Sequence, residues 1–179
     1  MKQWLVAMVA ICALGSRPIM LAAEPTTTRH LSVATSASAA SVAPGSRVSL
    51  IVEITPKPNM HVYAPGQKDV IPVSLTLGPG EAAAAQPLQF PQGEKLEIKE
   101  LGETQLVYSR TFRLVQDVTI PASRSLIKRA ASRGASLVVK GTLKYQACDN
   151  TICYAPVTVP VAWTLTLLGE TPRDAKKLR

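Results

Sequence analysis

Along most of this chain, apolar and polar side chains take turns. In "RVSLIVEI", Val48, Leu50, Val52 and Ile54 fall on one side, and in "IPVSLTL" the same holds for Ile71, Val73, Leu75 and Leu77. Further on, Leu137, Val139, Leu143 and Tyr145 alternate with Val138, Lys140, Thr142 and Lys144. The clearest case is "VTVPVAWTLTL", where Val157, Val159, Val161, Trp163, Leu165 and Leu167 share a face opposite Thr and Ala. A period of two sends successive side chains to opposite faces, so each stretch predicts a strand with one face buried. Leu31 and Val33 predict the start of an earlier strand. Pro160 points away from the apolar face and has no N–H to donate, which predicts a sheet edge or a bulge at that point.

Turn-forming stretches punctuate these segments: "VAPGSR", "TPKPN", "APGQKD", "LGPGEA" and "FPQGEK". The run "AAAA" at 82–85 lies between Gly80 and Pro87 and reads as loop or irregular strand. Only "SRSLIKRAASRG", 123–134, predicts a short helix, with Ser at its start and Gly134 after it. Roughly seven to nine short strands at turn-marked intervals, without repeat or linker, predict an all-β, immunoglobulin-like β-sandwich over residues 24–168. The polar stretch 169–179 reads as a loose tail.

The first 23 residues break this pattern. Lys2 is followed by an apolar run from Trp4 to Leu14, too short to span a bilayer, and small residues precede possible cleavage points after Gly15 and Ala23. Residues 1–23 therefore read as a signal peptide, Cys12 leaves with it, and the rest is expected to be exported, soluble and not inserted in a membrane. The chain is 46% hydrophobic but only 4% aromatic, so its core must be built from Val, Leu, Ile and Ala. The formal net charge of +8 is spread along the sequence, with no basic block interleaved with aromatics, which argues against nucleic acid as a partner.

Beyond the leader the only cysteines are Cys148 and Cys153, in "LKYQACDNTICYAPVTVPV". They fall between the two best-formed strands, on a connection at one end of the sandwich, where a scaffold commonly carries function. In an oxidising compartment two such neighbours can pair. As a staple, the pair closes a ring of about six residues and removes only ~2 kcal/mol of unfolded-chain entropy. Metal binding would recruit His61 and Met60 beside the two thiolates, a set suited to copper(I) or zinc. Thiol–disulfide exchange needs only two thiols within reach and one sulfur open to attack. Spacing alone leaves all three open.

The flanking residues add a resemblance. "YQACDNTICYAP", with "NMHVYAPG" and "FPQGEKLEIKELGE" upstream in that order, resembles the N-terminal periplasmic domain of the thiol:disulfide interchange protein DsbD, over about residues 30–168. The shared pattern is Tyr145-Gln146, one residue, Cys148, a short polar run, Cys153-Tyr154 and then Pro156. The resemblance implies an immunoglobulin-like sandwich in the periplasm, in agreement with the alternation. It also implies a protein-disulfide reductase without cofactor, which accepts electrons from a thioredoxin-like protein and passes them to oxidised periplasmic proteins. Carried over, Cys153 forms the mixed disulfides and Cys148 resolves them, with His61 and Tyr63 beside the pair. "KELGE", 99–103, matches the family's cap loop, but presents Leu101 and Gly102 where an aromatic ring is usual. The cysteine spacing is one residue shorter than in the best-known family member. No membrane segments and no C-x-x-C follow, so the expectation is a free domain supplied with electrons by a separate protein. The rival reading is a non-catalytic exported binding module whose disulfide fixes a loop.

Overall fold

The structure is a computed structural model that describes residues 24–79, 83–98 and 102–169. In chain order its strands are β1 (Thr26–Thr27), β2 (Leu31–Ala37), β3 (Ser41–Val42), β4 (Arg47–Pro56), β5 (His61–Tyr63), β6 (Ser74–Leu77), β7 (Ala83–Ala85), β8 (Glu94–Ile98), β9 (Glu103–Tyr108) and β10 (Phe112–Thr119). After helix α1 (Arg124–Ala130) come β11 (Ser136–Tyr145), β12 (Ala147–Cys148) and β13 (Val157–Leu167). One sheet has the order β1-β2-β4-β10-β7, a second β3-β13-β11-β6, and a third, smaller one β12-β5-β9-β8. This is the expected all-β, immunoglobulin-like sandwich.

The alternation in sequence is alternation in burial. Val48, Leu50, Val52 and Ile54 of β4 are buried, as are Leu137, Val139, Leu143 and Tyr145 of β11 and every second residue of β13 from Val159 to Leu167. These side chains form one core between the first two sheets. Trp163 is sunk in it, and its indole N–H donates to the Ile51 carbonyl of β4 at 3.1 Å. Thr35 Oγ1 donates to the Ala162 carbonyl at 2.9 Å, a second tie between the sheets. β13 pairs with β11 from Val157 to Thr166 without a register shift, while its other neighbour, β3, reaches only Thr166 and Leu167. Pro160 therefore sits, exposed, where only one side of the strand needs its backbone.

Three elements differ from the sequence reading. The strand expected over 71–77 pairs with β11 only from Ser74, because Pro72 has no N–H and the Val73 N–H donates to the Tyr63 carbonyl instead. α1 stops at Ala130; Ser123 caps its start, accepting the Leu126 N–H, and the chain turns through Gly134 at φ +77°. β10 had no clear alternation to announce it, because Gln116 occupies an inward position between Leu114 and Val118. The Gln116 side chain meets its polar demand by donating to the Gln86 carbonyl. Of the alanine run, Ala83–Ala85 form an irregular strand on β10, with a register shift between Val118 and Thr119. The expected leader at 1–23, residues 99–101 and the expected tail from 170 on lie outside the described residues. Among those described, no helix is long and apolar enough to cross a membrane.

Candidate redox site

The β11–β13 hairpin is in register from Ser136 opposite Thr166 to Tyr145 opposite Val157. Past Tyr145 the chain leaves this sheet and β12 joins the third one, placing Ala147 opposite Val62 and Cys148 opposite His61. The next residues loop outward and return at Cys153. Cys148 and Cys153 form a disulfide with Cα atoms 4.0 Å apart. Their surroundings differ sharply: Cys148 is 2% exposed, whereas Cys153 is exposed, next to Ile152, itself 53% exposed. Of the two, Cys153 is the residue that solvent reaches.

Cys148 sits in a small cluster of its own with Tyr63 and Val107, against which Val70 and Leu96 pack. The Tyr63 hydroxyl lies 3.3 Å from Cys153 Sγ and 3.4 Å from Cys148 Sγ. Burial pushes the Tyr63 phenol above its ordinary pKa, so at neutral pH it keeps the proton it can donate to sulfur. His61 and Tyr63 share a side of β5, their rings 5.9 Å apart and nearly perpendicular. Burial lowers the His61 pKa, an effect the Asp149 carboxylate opposes, so the imidazole is predominantly neutral at pH 7. Met60 and His61 also line a shallow groove with Leu96, Val107 and Asn150, alongside the cysteine loop.

The loop has an internal frame. Asp149 Oδ1 accepts the N–H groups of Thr151 and Ile152 at 2.7 and 2.8 Å, and Oδ2 accepts the Tyr154 hydroxyl at 2.7 Å. The bonds from Ile152, Tyr154 and Thr151 hold the Asp149 carboxyl below its ordinary pKa. The Tyr154 ring lies 4.6 Å from that of His30, and the Arg29 guanidinium sits 5.6 Å from its centre.

Of the residues singled out from sequence, Cys148, Cys153, His61, Tyr63 and Tyr154 thus come together. Tyr145 belongs to the main core instead; its hydroxyl pairs with Thr28 Oγ1 at 2.9 Å, and its ring meets the edge of His30, 6.4 Å away. Gly102 is exposed at φ +64°, and Leu101 lies outside the described residues. Among the described residues no group of three or more His, Cys, Asp or Glu side chains is placed to share a metal ion. Sequence reading overlooked Asp149, whose signal was available in the turn-forming "CDNT". It also overlooked His30 and Arg29, more than a hundred residues from Tyr154, for which nothing local gives a signal.

The family described as "Thiol:disulfide interchange protein DsbD, N-terminal" matches residues 28–163. This chain belongs to that family. The DsbD-type fold is seen also in a solved structure, the N-terminal periplasmic domain of ScsB from Proteus mirabilis, which is 12% identical with a TM-score of 0.54. That match covers 88% of this chain and 55% of the ScsB chain, so this chain spans about half of that one. No curated protein sequence matches. Family, fold and paired cysteines together make this an N-terminal domain of the DsbD type with its cysteine pair closed as a disulfide.

Proposed function

We propose that this domain is exported, as the apolar leader indicates, and works in the periplasm as a soluble electron relay. A thioredoxin-like donor reduces the Cys148–Cys153 disulfide, and the resulting dithiol reduces oxidised periplasmic proteins. The observation that carries this reading is the unequal exposure of the two cysteine residues. A donor thiolate attacks exposed Cys153 and releases Cys148 as the leaving thiolate; a second donor thiol then frees Cys153. In the outgoing direction Cys153 attacks the acceptor and buried Cys148 resolves the mixed disulfide. A purely structural staple has no need of one exposed cysteine whose sulfur lies against a phenol.

The test uses two single-cysteine variants incubated with periplasmic extract and separated on a non-reducing gel. Cys148→Ser should accumulate a reductant-sensitive covalent complex with a thioredoxin-like protein, because nothing resolves it, and Cys153→Ser should accumulate little. If neither variant traps a partner, the loop-fixing binding module is the better reading. If only Cys153→Ser does, the two roles are reversed.

A further inference from the structure

The ring that holds both sulfurs is closed twice, once through the disulfide and once without it. Besides the three bonds to its carboxylate, Asp149 donates its own N–H to the Ile152 carbonyl at 3.0 Å. The Tyr154 N–H donates to the Ala147 carbonyl at 2.9 Å, and Gln146 Nε2 donates to the Tyr154 carbonyl at 3.0 Å. Tyr154 is steadied in turn by His30 and Arg29 on its ring. None of these contacts uses a sulfur atom. A carboxylate that gathers two backbone N–H groups makes a turn of its own, and hydrogen bonds to an ionised acceptor are stronger than those between neutral groups.

We propose that Asp149 and Tyr154 are positioning residues for the exchange: they keep residues 148–153 in one turn in both the disulfide and the dithiol states, so that Cys148 stands against Cys153 throughout the cycle. The proposal deepens the relay reading and rests on it. In the first step the Cys153 thiolate attacks an acceptor disulfide, forming a bond to one acceptor sulfur and releasing the other as thiolate. In the second the Cys148 thiolate attacks Cys153 Sγ, closing Cys148–Cys153 and expelling the remaining acceptor sulfur. Two electrons pass to the acceptor, whose thiolates take up protons from water. The second step is intramolecular, and its rate and equilibrium follow from how much of the time the two sulfurs face each other. A ring of six residues without its own frame would spend much of that time open.

The measurement is equilibration of the purified protein with glutathione buffers, followed by acid quench, alkylation and mass spectrometry. Asp149→Ala should lower the equilibrium constant for disulfide closure about tenfold, equivalent to a potential higher by about 30 mV. Tyr154→Phe should lower it severalfold, since only the latch to Oδ2 is lost. Asp149→Asn should restore most of it, because its amide oxygen can still accept the Thr151 and Ile152 N–H groups. The protein–glutathione mixed disulfide should live longer in Asp149→Ala by the same factor, with thermal unfolding of each oxidised variant as the check on folding. Closure constants within twofold of wild type for both Asp149→Ala and Tyr154→Phe would overturn the proposal. A wild-type disulfide that refuses exchange with glutathione sinks the relay reading, and this one with it; a wild type that exchanges beside unchanged variants sinks this one alone.

Discussion

Cys148 and Cys153 are five positions apart, yet one is walled in by Tyr63 and Val107 and the other is open. That asymmetry arises because β12 drags the first cysteine into a sheet before the loop carries the second outward. The placement of His61 and Tyr63 was legible, since residues two apart in a strand point the same way. His30 was not: it acts through Tyr154, far along the chain, and pattern within a segment says nothing of such a partner. His30 is also costly where it is. It is 6% exposed, and among the described residues neither ring nitrogen has a hydrogen-bond partner. Its pKa is lowered by burial, then by Arg29 and Lys57, and that of His61 is lowered by burial against the pull of Asp149. Both folded values lie below the unfolded value near 6.5, so between the two the unfolded chain binds more protons. Stability should be full above about pH 6.5 and fall as the pH drops towards the folded values, by at most about 1.4 kcal/mol per pH unit for each histidine. Urea midpoints between pH 7.5 and 5 would measure this. His30→Phe, which keeps a ring against Tyr154, should flatten the decline; an unchanged slope would clear His30 of any part in it.

Among the elements, β4, β11 and β13 were written plainly in the sequence because their inward positions are almost all apolar. β10 was harder to read, since Gln116 interrupts the apolar face and is tolerated only through its bond to the Gln86 carbonyl. The third sheet was hidden for a different reason. Alternation reports which face of a strand is buried, but not which strand lies beside it, and β5 and β12 are three and two residues long. The site depends on that sheet and on the firmness of the β11–β13 hairpin that feeds it. Trp163 is the largest side chain that β13 puts into the core, and its N–H ties the strand to β4. Trp163→Ala should cost ~3–5 kcal/mol of unfolding free energy, read from urea denaturation of the oxidised protein. A loss below about 1 kcal/mol would mean that the hairpin does not rely on this anchor.

For the molecule as a whole, the decisive circumstance is how little of the chain the disulfide encloses. The main core between the first two sheets contains neither cysteine, so opening the bond removes a cross-link that spans only about six residues and leaves the sandwich closed. On the chain-entropy account, reduction should lower the unfolding free energy by ~2 kcal/mol and leave the far-ultraviolet circular dichroism unchanged. A reduced protein that unfolds outright, or one more stable than the oxidised form, would contradict this. The smallness of the ring also joins two kinds of measurement. Folded oxidised, folded reduced, unfolded oxidised and unfolded reduced chains stand at the corners of a closed thermodynamic square, and free energy summed around it must vanish. The stability lost on reduction therefore equals, by necessity, the extra tendency of the folded chain over the unfolded one to close its disulfide. Every increment by which the fold favours the closed bond makes the dithiol a better electron donor, and widens by the same increment the gap in stability between the oxidised and the dithiol forms. Reducing power in this domain is borrowed from its own folding equilibrium, and a urea titration of the two redox forms would reveal the size of the loan.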